Sequence, residues 1–167
     1  MERRRAQEHL RGTADREWDW NKIEIKHDGR VLPAEKVAIA TGETHGELQV
    51  QGAMMISTTP IVSQLEPGTP CLLLELLFAA PRNRPDLNKT GDPFLRGAGT
   101  QLLRWAAWFS QEMRCDGRLR LDASPRSIKF YQGKGLQILN HNPIVFEGVQ
   151  YTPMELTQAA ALKLLAD

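Results

Sequence analysis

Ten consecutive residues, Cys71 to Ala80, carry a single charged side chain, Glu75, and Pro81 ends the run. A strand with one wet face alternates in polarity, so an unbroken apolar run predicts a central strand covered on both faces. Strand-like segments precede it. Val37–Thr41 and Leu48–Ile56 flank Gly42-Glu-Thr-His-Gly46, the composition of a hairpin turn. Others follow it: Arg118–Ala123 alternates after Asp116-Gly117, and Leu136–Leu139 and Val149–Leu156 read as a closing pair around an Asn/His/Pro loop. Thr157–Ala166 reads as a terminal helix. The segment Glu17–His27 is ambiguous: Ile23 and Ile25 alternate like a strand, Trp18 and Trp20 fit a helix, and Gly29 and Pro33 break the pattern.

Between the apolar strand and the next one lies Phe94-Leu95-Arg96-Gly97-Ala98-Gly99-Thr100, a glycine-broken turn running into a helix through Met113. Leu102, Leu103, Trp105, Ala106, Phe109, Ser110 and Met113 form one broad face at helical spacing. A helix start leaves backbone N–H groups without intrahelical partners at the positive end of the dipole, so this turn is a candidate anion site or an ordinary tight turn. Pro81–Pro93, rich in Pro, Arg, Asn and Asp, is long for a strand-to-helix connection and reads as a binding loop or an insertion. Trp108 falls on the polar side of the helix, where it marks a candidate interface, a homodimer included, or a ring covered by arginine stems. Ser124-Pro125 has the chemistry of an N-cap followed by Pro at N1, opening a short helix from Arg126 to Gln132.

At 167 residues and net charge +1, the chain is expected to be one domain without a global pull towards nucleic acid or membrane. The arginines at 3 to 5 have Glu2 and Glu8 beside them and read as a solvated first helix or arm. No apolar stretch reaches the ~20 residues of a membrane span and no charged-then-apolar leader opens the chain, so a cytoplasmic protein is expected. Cys71 and Cys115 make no disulfide framework, and no metal-ligand spacing joins the four histidines and two cysteines.

The order hairpin, apolar strand, Gly-x-Gly turn, long helix, strand, short Phe-Tyr helix and closing strands resembles the GNAT acetyltransferase superfamily. That family's pyrophosphate loop, Gln/Arg-x-x-Gly-x-Gly/Ala, matches here at Gly97 and Gly99, with Phe94 in place of Gln/Arg. Its Asn-x-x-Ala-x-x-x-Tyr pattern lands on Ser124, Ser127 and Tyr131, with Ser for Asn, and Phe130-Tyr131 through Gly135-Leu136 resembles its Phe-Tyr-x-x-x-Gly-Phe signature. Ala80-Pro81-Arg82-Asn83 is similar to a subgroup with Ala-Pro-Trp-Asn at the strand end. The resemblance covers residues 36–156, leaving 1–35 poorly matched and 157–167 as the terminal helix. It implies an α/β (α+β) fold: a mixed, mostly antiparallel sheet flanked by helices and splayed at the cofactor strand.

The same resemblance implies acetyl-CoA as cofactor and an amine acceptor, whether small molecule, peptide or protein; nucleic acid is not expected. It implies pantetheine amides against main chain at Phe78 and Ala79, pyrophosphate on the N–H groups of Arg96, Gly97, Ala98, Gly99 and Thr100, and Leu95, Ser124 and Tyr131 beside the cofactor. Tyr131 is the candidate acid for the leaving thiolate; its plain reading is a core tyrosine. Glu75 is the candidate base, since a carboxylate in so apolar a strand is desolvated; a salt-bridged Glu is the other reading. Asp122 is a weaker base candidate, and His45 and His141 read as surface residues. The alternative function is a GNAT-like acyl-CoA-binding or protein-interaction module with little or no catalysis, motivated by Phe94, Ser124 and residues 1–35. A translation-linked acetyltransferase rests only on the arginines at 3 to 5, 82, 84 and 96.

Overall fold

The computed structural model describes residues 23–44, 47–84, 95–140 and 142–167. The arginines at 3 to 5, Trp18, Trp20, His45, Phe94, His141 and residues 85–93 of the long loop lie outside that set. β1 (Ile25–His27) and β2 (Arg30–Leu32) form a hairpin. Asp28 and Gly29 hold φ at 49° and 73°, as a two-residue turn with both central residues left-handed requires. Gly29 is therefore the turn of a hairpin, not merely a break in a pattern.

The remaining strands form one sheet. They are β3 (Ala34–Thr44), β4 (Glu47–Ser57), β5 (Ile61–Val62), β6 (Pro70–Ala79), β7 (Leu119–Ala123), β8 (Gln137–Ile138), β9 (Ile144–Phe146) and β10 (Val149–Leu156). Their order is β3-β4-β6-β7-β10-β8, with β5 on β6 and β9 on β10. Among these pairings only β6–β7 is parallel. Among the described residues the α-helices are α1 (Ala98–Glu112), α2 (Ile128–Gln132) and α3 (Gln158–Ala166). The architecture is thus the mixed, largely antiparallel sheet with flanking helices that the resemblance implies.

β6 decides the rest of the packing. Its ladder with β4 runs Gly52↔Ala79, Ala53↔Phe78, Met54↔Leu77 and Met55↔Leu76, then jumps to Ile56↔Leu74. Glu75 is the residue without a partner, a β-bulge. Because side chains alternate with period two, one extra residue shifts their phase. Leu72 and Leu74 face the cluster that holds Leu102, Leu103 and Ala106 of α1, whereas Cys71 and Leu73 face the one that holds Ile25 and Met55. Beyond the bulge the assignment moves by one: Leu77 packs against the α1 cluster and Leu76 against the β1 cluster. Helices therefore cover one face and the β1–β2 hairpin part of the other, as the unbroken apolar run requires.

Close approach of these layers depends on Gly52. A Cβ there would stand 2.7 Å from the Phe78 carbonyl oxygen and 3.0 Å from Leu102 Cδ1, so any side chain would push β6 and α1 off β4. On α1, Leu102, Leu103, Ala106, Ala107 and Ser110 are buried, and Trp105, Phe109 and Met113 pack partly buried against the same cluster. Trp108 is 46% exposed, on the side the periodicity assigns it.

Two buried ionisable side chains tie loops to the sheet. Glu155 on β10 is fully buried and accepts hydrogen bonds from the Ser63 hydroxyl and from the N–H groups of Gln64 at 3.0 Å and Leu65 at 3.2 Å. Arg118 bonds Glu66 at 2.7 Å and Asp116 at 3.0 Å. Glu66 also accepts the Gln158 N–H at the start of α3, and this bond, followed by Arg118, holds its carboxyl below the ordinary carboxylate range.

Two local expectations are corrected. α2 begins at Ile128 with Ser127 at the cap position, not at Ser124-Pro125. The Ser127 N–H and hydroxyl both reach the Ser124 carbonyl, at 2.9 and 3.0 Å, so residues 125–127 close a turn before the helix starts. Ile144–Phe146, read from sequence as loop, is a strand paired with Val149–Tyr151.

Candidate active site

The parallel pairing of β6 with β7 stops at Leu73↔Arg120, and among the described residues no strand lies along that edge of β6 beyond it. The two strands part there, just before the bulge. The Leu72 N–H points at β7, where it donates to the Arg118 carbonyl at 3.1 Å, and the Ala80 N–H points at β4, donating to Gln51 at 2.8 Å. Residues 72 and 80 are an even number apart and would point the same way in a regular strand. The extra residue at Glu75 reverses them, so Leu77 and Ala79 turn their main-chain groups into the splay while Phe78 turns its own towards β4. Of the two positions expected to face the cofactor, Ala79 has that orientation and Phe78 does not.

α1 starts beside this splay. Gly97 takes φ 97° at the cap position, a conformation that costs glycine nothing. No side chain caps the helix and no acidic residue sits in its first turn. The first intrahelical donor after the turn is Gln101, whose N–H reaches the Gly97 carbonyl at 2.9 Å. The N–H groups of Ala98, Gly99 and Thr100 precede it at the positive end of the dipole. A Cβ at Gly97 would meet nothing within 4 Å, whereas one at Gly99 would lie 3.4 Å from Phe130 Cζ and 3.7 Å from Leu77 Cδ2. Gly97 therefore leaves open space at the turn, and Gly99 lies within ordinary contact range of α2 and the end of β6. Leu95 and Arg96 lead into the turn with exposed side chains.

Tyr131 follows Phe130 on α2, the two rings edge to face with centroids 5.1 Å apart. Its side chain is 6% exposed, and that burial pushes the phenol well above its ordinary 10. Ser124 directly follows β7, its hydroxyl 3.0 Å from that of Ser127.

Glu75 and Asp122 each stand two residues past the last β6–β7 pair, on opposite sides of the splay. Both residues are exposed to solvent, yet the surrounding chain removes enough water to raise both carboxyl pKa values. For Glu75 desolvation leads and the Asp122 charge adds to it. For Asp122 desolvation is opposed by Arg120 and by His27 of β1. The site thus holds two carboxyls, of which Asp122 raises the proton affinity of Glu75, bordered by a cation and an imidazole. Asp122 lies across the splay from Glu75, and Arg120 of β7 and His27 of β1, which sequence does not bring to this place, act on its carboxyl.

Cys71 and Cys115 are buried free thiols; burial pushes Cys71 up to about 12 and raises Cys115 as well. Neither has thiolate character. A hollow of about 470 Å³ lined by Ile39, Gln101, Arg104, Trp105, Trp108, Leu165 and Asp167 shares no residue with the splay. Among the described residues no helix is long and apolar enough to cross a membrane.

No protein-family model matches the chain, and no curated protein sequence does. Solved structures match it in fold. A putative N-acetyltransferase from Lactobacillus plantarum superposes with TM-score 0.55 at 15% identity, over 93% of this chain and 90% of that one. A chain of the NatC complex bound to Gag peptide and CoA gives TM-score 0.54 at 11% identity, over 72% of this chain and 69% of that one. The fold is that of the GNAT N-acetyltransferases.

Proposed function

We propose that this chain is an acetyl-CoA-dependent N-acetyltransferase that moves the acetyl group directly to an amine in a ternary complex. The observation that carries the reading is the junction at Gly99, where the uncapped start of α1, the splayed end of β6 and the Phe130–Tyr131 helix meet. Acetyl-CoA supplies an activated thioester. The residues present suit it: open space at Gly97, three leading N–H groups without a capping side chain, and main-chain groups of Leu77 and Ala79 turned into the splay.

In this reading the N–H groups of Ala98, Gly99 and Thr100 bind the pyrophosphate, and Leu95, Arg96 and Gly97 shape its approach. Leu77 and Ala79 hold the pantetheine amides as an added strand would be held. The Ala79 N–H polarises the thioester carbonyl. Glu75 takes the extra proton from the acceptor ammonium, directly or through water, which frees the lone pair that forms the N–C bond; the proton that the nitrogen sheds after attack goes to solvent. Tyr131 gives its phenolic proton to sulfur as the C–S bond breaks, and burial keeps that proton in place until then. Holding amine and thioester in line supplies much of the rate. Two carboxyls at the acceptor side favour an amine that arrives as a cation.

Binding is tested by thermal denaturation with CoA, acetyl-CoA and longer acyl-CoAs. A ligand at 100 times its Kd adds about 2.7 kcal/mol of apparent stability; no shift with any of them at millimolar concentration would sink the reading. A pH profile tests the base. Because the Glu75 pKa is raised and the base works only deprotonated, activity should fall with acid through a midpoint above the ordinary 4.5. The midpoint belongs to the Glu75–Asp122 pair, not to one residue. Asp122→Asn removes the like charge and should move that limb to lower pH, and an unmoved limb would clear Asp122 of any part in it.

The burial of Tyr131 in the main core also favours a second reading, an acyl-CoA-binding module in which this ring serves packing alone. Cofactor binding without turnover on any amine, peptide or protein acceptor would select it.

A further inference from the structure

We infer that Asn83 is a positioning residue that, clamped by Gln51, fixes the main chain at the start of the anion turn. Asn83 is 7% exposed and Gln51 2%. The Asn83 Nδ2 donates to Gln51 Oε1 at 2.7 Å and to the Gln51 carbonyl at 3.1 Å, and its Oδ1 accepts the Leu95 N–H at 3.3 Å. Gln51 Nε2 in turn donates to Thr41 Oγ1 at 2.6 Å and to the Gln49 carbonyl at 3.3 Å. The chain of bonds runs from β3 through β4 to the residue two before Gly97.

Its direction is fixed. Each amide presents nitrogen to an acceptor on one side and oxygen to a donor on the other, so flipping either would set like groups against each other. The Asn83 backbone is held as well, its N–H donating to the Ala80 carbonyl at 2.8 Å. Leu95 is thereby registered against the sheet by a side chain. This ties the start of the turn to β4. The consequence for the cofactor rests on the acetyl-CoA reading; the clamp itself does not.

The test uses the full-length protein without ligand, by amide hydrogen exchange, and then CoA binding. In the wild type the Leu95 amide should exchange more slowly than the free-peptide rate despite the exposed side chain; an unprotected Leu95 amide overturns the clamp without any variant. In Asn83→Ala, exchange at residues 95–100 should quicken about fivefold to tenfold, the equilibrium worth of one hydrogen bond. The Kd for CoA should rise by about the same factor, while the KM for S-acetylpantetheine, which has no pyrophosphate, stays as in wild type. Equal weakening of both ligands, or unchanged exchange at 95–100, assigns Asn83 a purely structural part and overturns the positioning role. A wild-type protein that shows the clamp in exchange but binds no CoA refutes the cofactor reading alone.

Discussion

Tyr131→Phe is expected to slow acetyl transfer about 10²–10⁴-fold, the range that a positioned acid contributes, while the Kd for CoA stays as in wild type. The two effects separate because the cradle for pyrophosphate is main chain at Ala98–Thr100, whereas the phenol contributes one proton. The substitution removes a single oxygen and keeps the ring that stacks edge to face on Phe130. Folding should therefore change by about 1 kcal/mol or less, as for loss of one hydrogen-bonding group. The sign of the pH dependence follows from burial. An acid must be protonated to act, and burial raises this phenol above its ordinary 10, so its loss of proton should not limit the rate at any pH up to 10. Steady-state kinetics with isothermal titration of CoA checks both halves. Turnover equal to wild type would leave Tyr131 a core residue.

Glu155→Ala should cost about 3 kcal/mol, towards the high end for a point substitution because it strands several buried groups at once. The wild-type carboxylate accepts one hydroxyl and two backbone N–H groups, those of Ser63, Gln64 and Leu65. Ser63 is itself buried, and its oxygen takes the Glu66 N–H at 3.0 Å. Removing the carboxylate therefore frees the whole 63–66 segment, including Glu66, which holds Arg118 and the first N–H of α3. Glu155→Gln keeps one acceptor oxygen but turns an NH₂ towards donors, so it should fall between the two. In urea the midpoint should drop with the slope unchanged, because the surface exposed on unfolding is nearly the same. A midpoint equal to wild type would show that water satisfies these groups equally well.

What was legible in the sequence follows the strength of local pattern. The β6 strand and α1 announce themselves, one by an unbroken apolar run and the other by a face at helical spacing; β6 lies within a residue of its expected bounds, while α1 begins at Ala98, inside the expected turn, and ends at Glu112. The Gly97 turn is legible because only glycine takes φ near 97° at no cost. Short elements are not. Ile144–Phe146 sits between an Asn/His/Pro loop and Glu-Gly, and only pairing with Val149–Tyr151 makes it a strand. The helix after β7 starts late because Ser127 prefers the Ser124 carbonyl to capping. At the candidate site, Glu75 stood out as the one charge in an apolar run, but the bulge beneath it is a property of the β4 ladder. The Asn83–Leu95 bond and the approach of His27 to Asp122 join distant segments through side chains, which no periodicity records.

The bulge at Glu75 is also where β6 can take up a change in chain length. A point substitution at Leu74, Glu75 or Leu76 can change what lines the gap, but it leaves the count of residues along β6 unaltered. Deleting Glu75 would join Leu74 to Leu76 on the β4 partners they already have, Ile56 and Met55, and leave Leu77 and Ala79 facing the gap as before. The strand thus carries one residue of slack, and a three-nucleotide deletion in frame at this codon is the length change it should tolerate best.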